Sequence, residues 1–154
     1  MVAPLKMLLA VDGSAHALAA VRQALHLAAG RPETGFVLVN VQEPASLYEV
    51  VVAHDAERIE AVRRAAGADL LGAAEALLDA AGVAYESEVA AGRPEHLIGE
   101  LAETYGCDLI VLGALGAGAA PEATAGLGSV ARAVLEAAGV ATPAVLVVRP
   151  QDAD

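Results

Sequence analysis

Two groups of residues in this chain have the types and spacing to do chemistry. The first is Val11-Asp12-Gly13-Ser14, where an apolar run ends on a carboxylate, followed by a glycine and a serine. Ser14 is of the type that caps a helix through its side-chain oxygen, and capping alone accounts for it. Asp12 stands directly at the end of the run. The second group is Gly113-Ala-Leu-Gly116-Ala-Gly118, then nine residues, then Gly128-Ser129-Val130. Glycines let a ligand come close to the backbone, and a helix N-terminus offers unpaired N–H groups and a positive dipole end to an anion. This is the logic of a phosphate cradle. It is not a Walker A loop, because no lysine follows the glycines. Gly126-x-Gly128-x-x-Ala131 fits a dinucleotide fingerprint only loosely, since no strand directly precedes it.

The elements that must position these residues follow from the hydrophobic pattern. Five short runs read as strands: Lys6–Val11, Phe36–Val41, Ala84–Val89, Leu109–Leu112 and Ala144–Val148. Several are continuously apolar, as expected for strands covered on both faces of a parallel sheet. Between them lie helical patterns. The first covers about Ser14 to Ala29, with Leu18, Val21, Leu25 and Ala28 on one face. The second covers Asp55 to Ala81, where Ile59, Val62, Ala66, Leu70, Ala73, Leu77 and Ala81 step by threes and fours. Glu60 and Arg64 are spaced for an i,i+4 pair on its other side. The third starts at Pro94, buries Leu97, Ile98, Leu101 and Tyr105, and stops at Gly106. The last covers Ser129 to Ala138. Strict strand–helix alternation means an α/β domain with a mostly parallel, doubly wound sheet. One domain over 1–150 with a short tail at 151–154 is expected. Within it, Ala114–Leu127 is an irregular glycine- and alanine-rich loop, and 43–55, with Tyr48 and Val50 to Val52, is apolar enough to cover a site as a flap or pack on the sheet.

Composition narrows the function classes. The 154 residues carry 9 Lys+Arg against 20 Asp+Glu, a formal net charge of −11. Such a chain repels phosphate backbones and anionic lipid, which argues against a generic nucleic-acid or membrane-surface binder. Hydrophobic residues reach 56%, yet aromatics are only 3%, and 38 of the residues are alanine. Platforms that stack bases on aromatic rings are therefore not expected. A single cysteine, Cys107, excludes an internal disulfide or a cysteine-based zinc site and reads as a small buried side chain. The first apolar run is too short for a signal peptide, and no stretch approaches the ~20 apolar residues that span a bilayer. A soluble cytoplasmic protein is expected. His16 lies near Asp12 and Ser14, but residues two apart on a helix do not face each other, so no hydrolase triad is expected. His26, His54 and His96 lack metal-ligand spacing. Arg132, four before Glu136, reads as a surface pair.

Met7-Leu-Leu-Ala-Val-Asp-Gly-Ser14, Gly92-Arg-Pro94, Cys107-Asp-Leu-Ile-Val-Leu-Gly113, Gly128-Ser-Val-Ala131 and Pro143-Ala-Val-Leu-Val-Val148 occur in this order over nearly the whole chain. Together they resemble the universal stress protein family of the UspA type. The resemblance implies a Rossmann-like three-layer sandwich with strand order 3-2-1-4-5. Strands 1 and 4 then lie side by side at the switch point, where ligands bind open α/β sheets. The family's ATP-binding members carry G, two residues, G, nine residues, G, then Ser or Thr. By that resemblance Gly113, Gly116, Gly128, Ser129 and Val130 surround phosphates and ribose, while Asp12 and Val41 flank the adenosine. Here eleven residues separate Gly116 from Gly128, whereas nine separate Gly118 from Gly128, so the loop carries a two-residue insertion. Leu115 stands where many members have a polar or basic residue.

The expected function is a stress-response protein that holds an adenine nucleotide (ATP, ADP or AMP) as a regulatory ligand, with at most slow hydrolysis. No lysine or arginine lies between Gly113 and Ser129. Phosphate binding would therefore rest on backbone N–H groups, a helix dipole and a bound divalent cation such as Mg. The resemblance also implies a homodimer through the last strand, whose apolar edge would otherwise be exposed. A different class of reading is a dimeric interaction module that binds no nucleotide. A third, an ATP-pyrophosphatase-like transferase, needs a longer phosphate loop after the first strand than Asp12-Gly13-Ser14 provides.

Overall fold

A computed structural model describes residues 4–42, 56–116, 126–138 and 143–150. The flap expected over 43–55, the loop centre at 117–125, Gly139 and the tail at 151–154 lie outside the described residues.

The strands are β1 (Lys6–Ala10), β2 (Gly35–Gln42), β3 (Tyr85–Ala91), β4 (Leu109–Gly113) and β5 (Ala144–Val148). The helices between them are α1 (Ala15–Ala28), α2 (Ala56–Ala81), α3 (Pro94–Thr104) and α4 (Ser129–Ala137). All strand pairs are parallel, and the sheet order is β3-β2-β1-β4-β5. This is the expected order, and β1 and β4 are neighbours in it. The register runs Met7 opposite Leu109 through Ala10 opposite Leu112.

Alternation along each strand sends successive side chains to opposite faces. Met7, Leu9, Phe36, Leu38 and Val111 face one core with α1 and α2. Leu8, Val37, Val39, Ile110 and Leu112 face the other with α3 and α4. Helices on both faces make three layers, and the central strands, buried on both sides, have no polar face to spend on solvent.

Local signals explain the helix ends. The Ala17 N–H donates to Ser14 Oγ (3.1 Å), which caps α1. Pro94 occupies the first turn of α3. That helix stops where Gly106 adopts φ 68°, with the Cys107 N–H donating to the Ala102 carbonyl (2.8 Å) and the Gly106 N–H to Glu103 (3.1 Å). This is a Schellman ending, and the left-handed residue at its centre suits glycine.

The helix faces differ from those the periodicity picks. On α2, Leu71, Ala74 and Leu78 are the core residues, whereas Val62 is 64% and Leu70 37% exposed. The buried stripe is therefore displaced by one position from the expected series Ile59, Val62, Ala66, Leu70, Ala73, Leu77, Ala81. In an alanine-rich helix both series step by threes and fours, so spacing does not separate them. Close approach does. Gly67 lies against Val89 and Asn40, where a Cβ would come within 2.4 Å of Val89 Cγ1. A larger residue there would hold the helix off the sheet. On α1 the contact surface is Ala17, Ala20, Val21 and Ala24, with Leu18 and Leu25 on its flanks. Small residues again seat a helix close to the strands. Glu60 and Arg64 form the expected i,i+4 pair, at 3.7 Å and well exposed, a contact of little energetic weight.

Candidate functional site

The carboxyl ends of β1 and β4 diverge at the switch point and leave a cleft between the first turn of α1, the end of β4 and the start of α4. Asp12, Val41, Gly113, Gly116, Gly128, Ser129 and Val130, all expected from the sequence, line this one cleft. Ala10, Val39, Pro94, Ile98 and Leu112 complete an aliphatic wall. The cleft measures about 120 Å³. One water needs roughly 10–15 Å³ by the same measure, so the cleft has room for several water-sized groups.

Each wall has a local cause. After β1 the chain turns on Asp12-Gly13-Ser14, where the Ser14 N–H donates to Asp12 Oδ1 (2.9 Å). Asp12 therefore shapes the turn and also lines the cleft. A Cβ on Gly116 would stand 2.9 Å from Asp12 Oδ2, which brings the carboxylate against the glycine loop. Ser14 caps α1, the structural role its type suggests, and lies on the same wall.

The glycines of the second group serve different ends. A Cβ on Gly113 would meet His16 Cβ at 2.6 Å, its carbonyl carbon at 2.7 Å and the Ala17 nitrogen at 3.0 Å. Gly113 thus lets the first turn of α1 press onto the end of β4. Gly128 is the N-cap of α4, with ordinary extended backbone (φ −68°, ψ 167°) and no side chain to bond the helix N–H groups. The N–H groups that open α4 therefore receive no capping side chain, and they border the cleft. The Gly128 N–H donates to the Ala114 carbonyl (2.7 Å), which ties the far end of the loop to its beginning.

Four residues that hold the site carry no signal in the motif. Asn40 is 2% exposed, and its Nδ2 donates to the Val11 carbonyl (2.7 Å). Gln42 Nε2 in turn donates to Asn40 Oδ1 (2.6 Å). This chain fixes the exit of β1 just before Asp12. A polar residue inside the apolar run Phe36–Val41 is the only sequence sign of it. His16 accepts at Nδ1 from the Leu115 N–H (3.3 Å), so it anchors the glycine loop and does not serve Ser14. Arg149, at the end of β5, donates to the Gly126 carbonyl (2.6 Å). Arg132 is exposed on α4 and does not line the cleft. Replacing Asn40 by alanine removes the side-chain donor to the Val11 carbonyl and is expected to cost about 1–3 kcal/mol. A urea titration reads this as a lowered midpoint at unchanged slope.

Groups with shifted acidity lie at the other end of the sheet. The Tyr105 hydroxyl donates to Glu88 (3.0 Å), a bond that, helped by burial, raises its pKa. Tyr85 is raised in the same way by Asp79. Burial raises the Cys107 thiol, in keeping with an inert core cysteine. Among the described residues no cluster of three or more His, Cys, Asp or Glu is placed to hold a metal ion, and no helix is long and apolar enough to cross a membrane.

Fold and cleft together define a doubly wound α/β domain with a cleft at its switch point. The model of the universal stress protein family matches residues 5–149, and the chain belongs to that family. No curated protein matches it at a significant level. Solved structures do. A hypothetical protein of 22% identity superposes with a TM-score of 0.79, covering 99% of this chain and 100% of that one. A universal stress protein in complex with cAMP is 25% identical with a TM-score of 0.68, covering 96% of this chain and 99% of that one. A family protein from Arabidopsis thaliana with AMP bound is 18% identical with a TM-score of 0.64, covering 96% and 93%.

Proposed function

We propose that this protein binds an adenine nucleotide (ATP, ADP or AMP) in the switch-point cleft as a regulatory ligand in a stress response. The observation that carries this reading is the α4 N-terminus, capped only by Gly128, on the same cleft as Asp12 and an aliphatic wall. An adenine ring would lie against Val41 and its aliphatic neighbours, and Asp12 would meet the ribose. The phosphates would take the N–H groups of Ser129 and Val130 and the positive end of the helix. The family proteins with cAMP and AMP bound support the ligand class. Gly116 and Gly128 present glycine backbone on the cleft wall, which suits a phosphate cradle. The described cleft residues offer no lysine or arginine. A divalent cation such as Mg, accompanying ATP, would therefore be held chiefly by the phosphates themselves.

The ligand acts here as a regulator of conformation or assembly. Phosphoryl transfer needs a positioned base or water and a metal clamp, and among the described residues the cleft wall contains a single carboxylate, Asp12, which also accepts from the Ser14 N–H in its own turn. The working form is a cytoplasmic homodimer joined through β5. Its support is the position of β5 at the sheet edge and its apolar sequence Ala-Val-Leu-Val-Val.

Leu115, apolar and lining the cleft, favours one other reading, an interaction module without nucleotide. Calorimetric titration of nucleotide-stripped protein with ATP, ADP and AMP separates the two. Saturable binding with one site per chain is expected. Absence of heat with all of them at millimolar concentration replaces the nucleotide reading by the interaction module.

A further inference from the structure

We infer that Arg149 is a positioning residue for the phosphates of the nucleotide, an inference that rests on the reading above. Two hydrogen bonds join the end of β5 to the two limbs of the glycine loop, and a third joins the limbs to each other. The Ala114 N–H donates to the Val148 carbonyl (2.8 Å), and the Gly128 N–H donates to the Ala114 carbonyl (2.7 Å). The Arg149 guanidinium donates to the Gly126 carbonyl (2.6 Å) and so pins the returning limb from the side. Gly126 has φ 84°, a left-handed turn two residues before the N-cap of α4. Glycine has wide backbone freedom at such a turn, and a bond to its carbonyl restricts it. A charged donor on a carbonyl is among the stronger neutral-acceptor bonds.

The chemistry of the cleft makes this bond matter. Among the described residues no lysine or arginine lines the cleft, so backbone N–H direction carries phosphate recognition there. Those N–H groups follow Gly126 by three and four residues. Arg149 therefore acts on the ligand through the turn. Adenosine, which lacks phosphate, does not depend on it.

The test compares ATP and adenosine affinities of wild type, Arg149→Ala and Arg149→Lys, together with amide hydrogen exchange at Gly128. Arg149 is exposed, so the alanine variant keeps its fold. Arg149→Ala is expected to weaken ATP about tenfold, with adenosine unchanged, and lysine to restore most of the loss. Exchange at Gly128 is expected to speed up about tenfold in the alanine variant. An equal loss for adenosine, or ATP affinity within about twofold of wild type, overturns the inference. Should wild type bind neither ligand, the nucleotide reading fails by itself. Gly128 exchange then decides whether Arg149 holds the turn, and unchanged exchange overturns that as well.

Discussion

A single methyl group at position 113 is expected to destabilise the protein by about 3 kcal/mol. The Gly113→Ala side chain would stand 2.6 to 3.0 Å from atoms of His16 and Ala17, two of them backbone atoms in the first turn of α1. A flexible side chain could turn away from such an overlap, but a helix turn must move as a body. That turn carries the Ser14 cap and the His16 nitrogen that receives the Leu115 N–H, so the displacement spreads to both walls of the cleft. Thermal unfolding is expected to shift down by about 6–12 °C for a chain of this size. Gly99→Ala is the matched control. It adds the same atoms to α3, where nothing lies within 4 Å of the new Cβ, and is expected to stabilise by about 0.5–1 kcal/mol. Equal shifts for the two variants would show that close approach at Gly113 is not what the position requires.

Gly128→Leu is expected to behave in the opposite way, leaving the fold and removing the ligand. The backbone at Gly128 suits any residue. A Cβ there would lie 3.4 to 3.5 Å from the Ala114 carbonyl oxygen, the Gly116 nitrogen and Leu115 Cα, an ordinary contact. Alanine is therefore accommodated, and the branched leucine then has to grow into the cleft from its rim. Nucleotide affinity is expected to fall about a hundredfold, equivalent to about 2.7 kcal/mol. The melting midpoint is expected to stay within about 3 °C of wild type. Titration calorimetry and a thermal melt on the same sample check both parts. Retained affinity in a folded Gly128→Leu protein would move the ligand site elsewhere.

The two glycines resemble each other in the sequence, and only the structure separates them. Both follow from a pattern in which small residues recur around a strand end and a helix start. The pattern does not say that Gly113 faces an α-helix while Gly128 faces a cleft. What was legible is what depends on local chemistry. The strands were legible from continuous apolar runs, the helix starts from Ser14 and Pro94, and one helix end from Gly106. The sheet order, implied by the resemblance, is also as expected. What was not legible depends on distance between segments far apart in sequence. The buried stripe of α2 was misplaced because alanine gives every face of a helix some apolar character, and Gly67 against Val89 decides the rotation. Asn40, His16 and Arg149 stand 29, 99 and 23 residues from the backbone groups they bind. No local motif announces such pairs.

The bond from Gly128 to Ala114 also changes the meaning of the longer loop. The loop is closed at its base by that bond, so the two limbs of the cradle are held together whatever number of residues joins them. Lengthening the stretch between Gly116 and Gly128 from nine residues to eleven adds only about 0.2 kcal/mol of closure entropy. That is below thermal energy. By closure entropy alone, loop length is then a variable on which this fold can change what reaches the cleft without rebuilding its base.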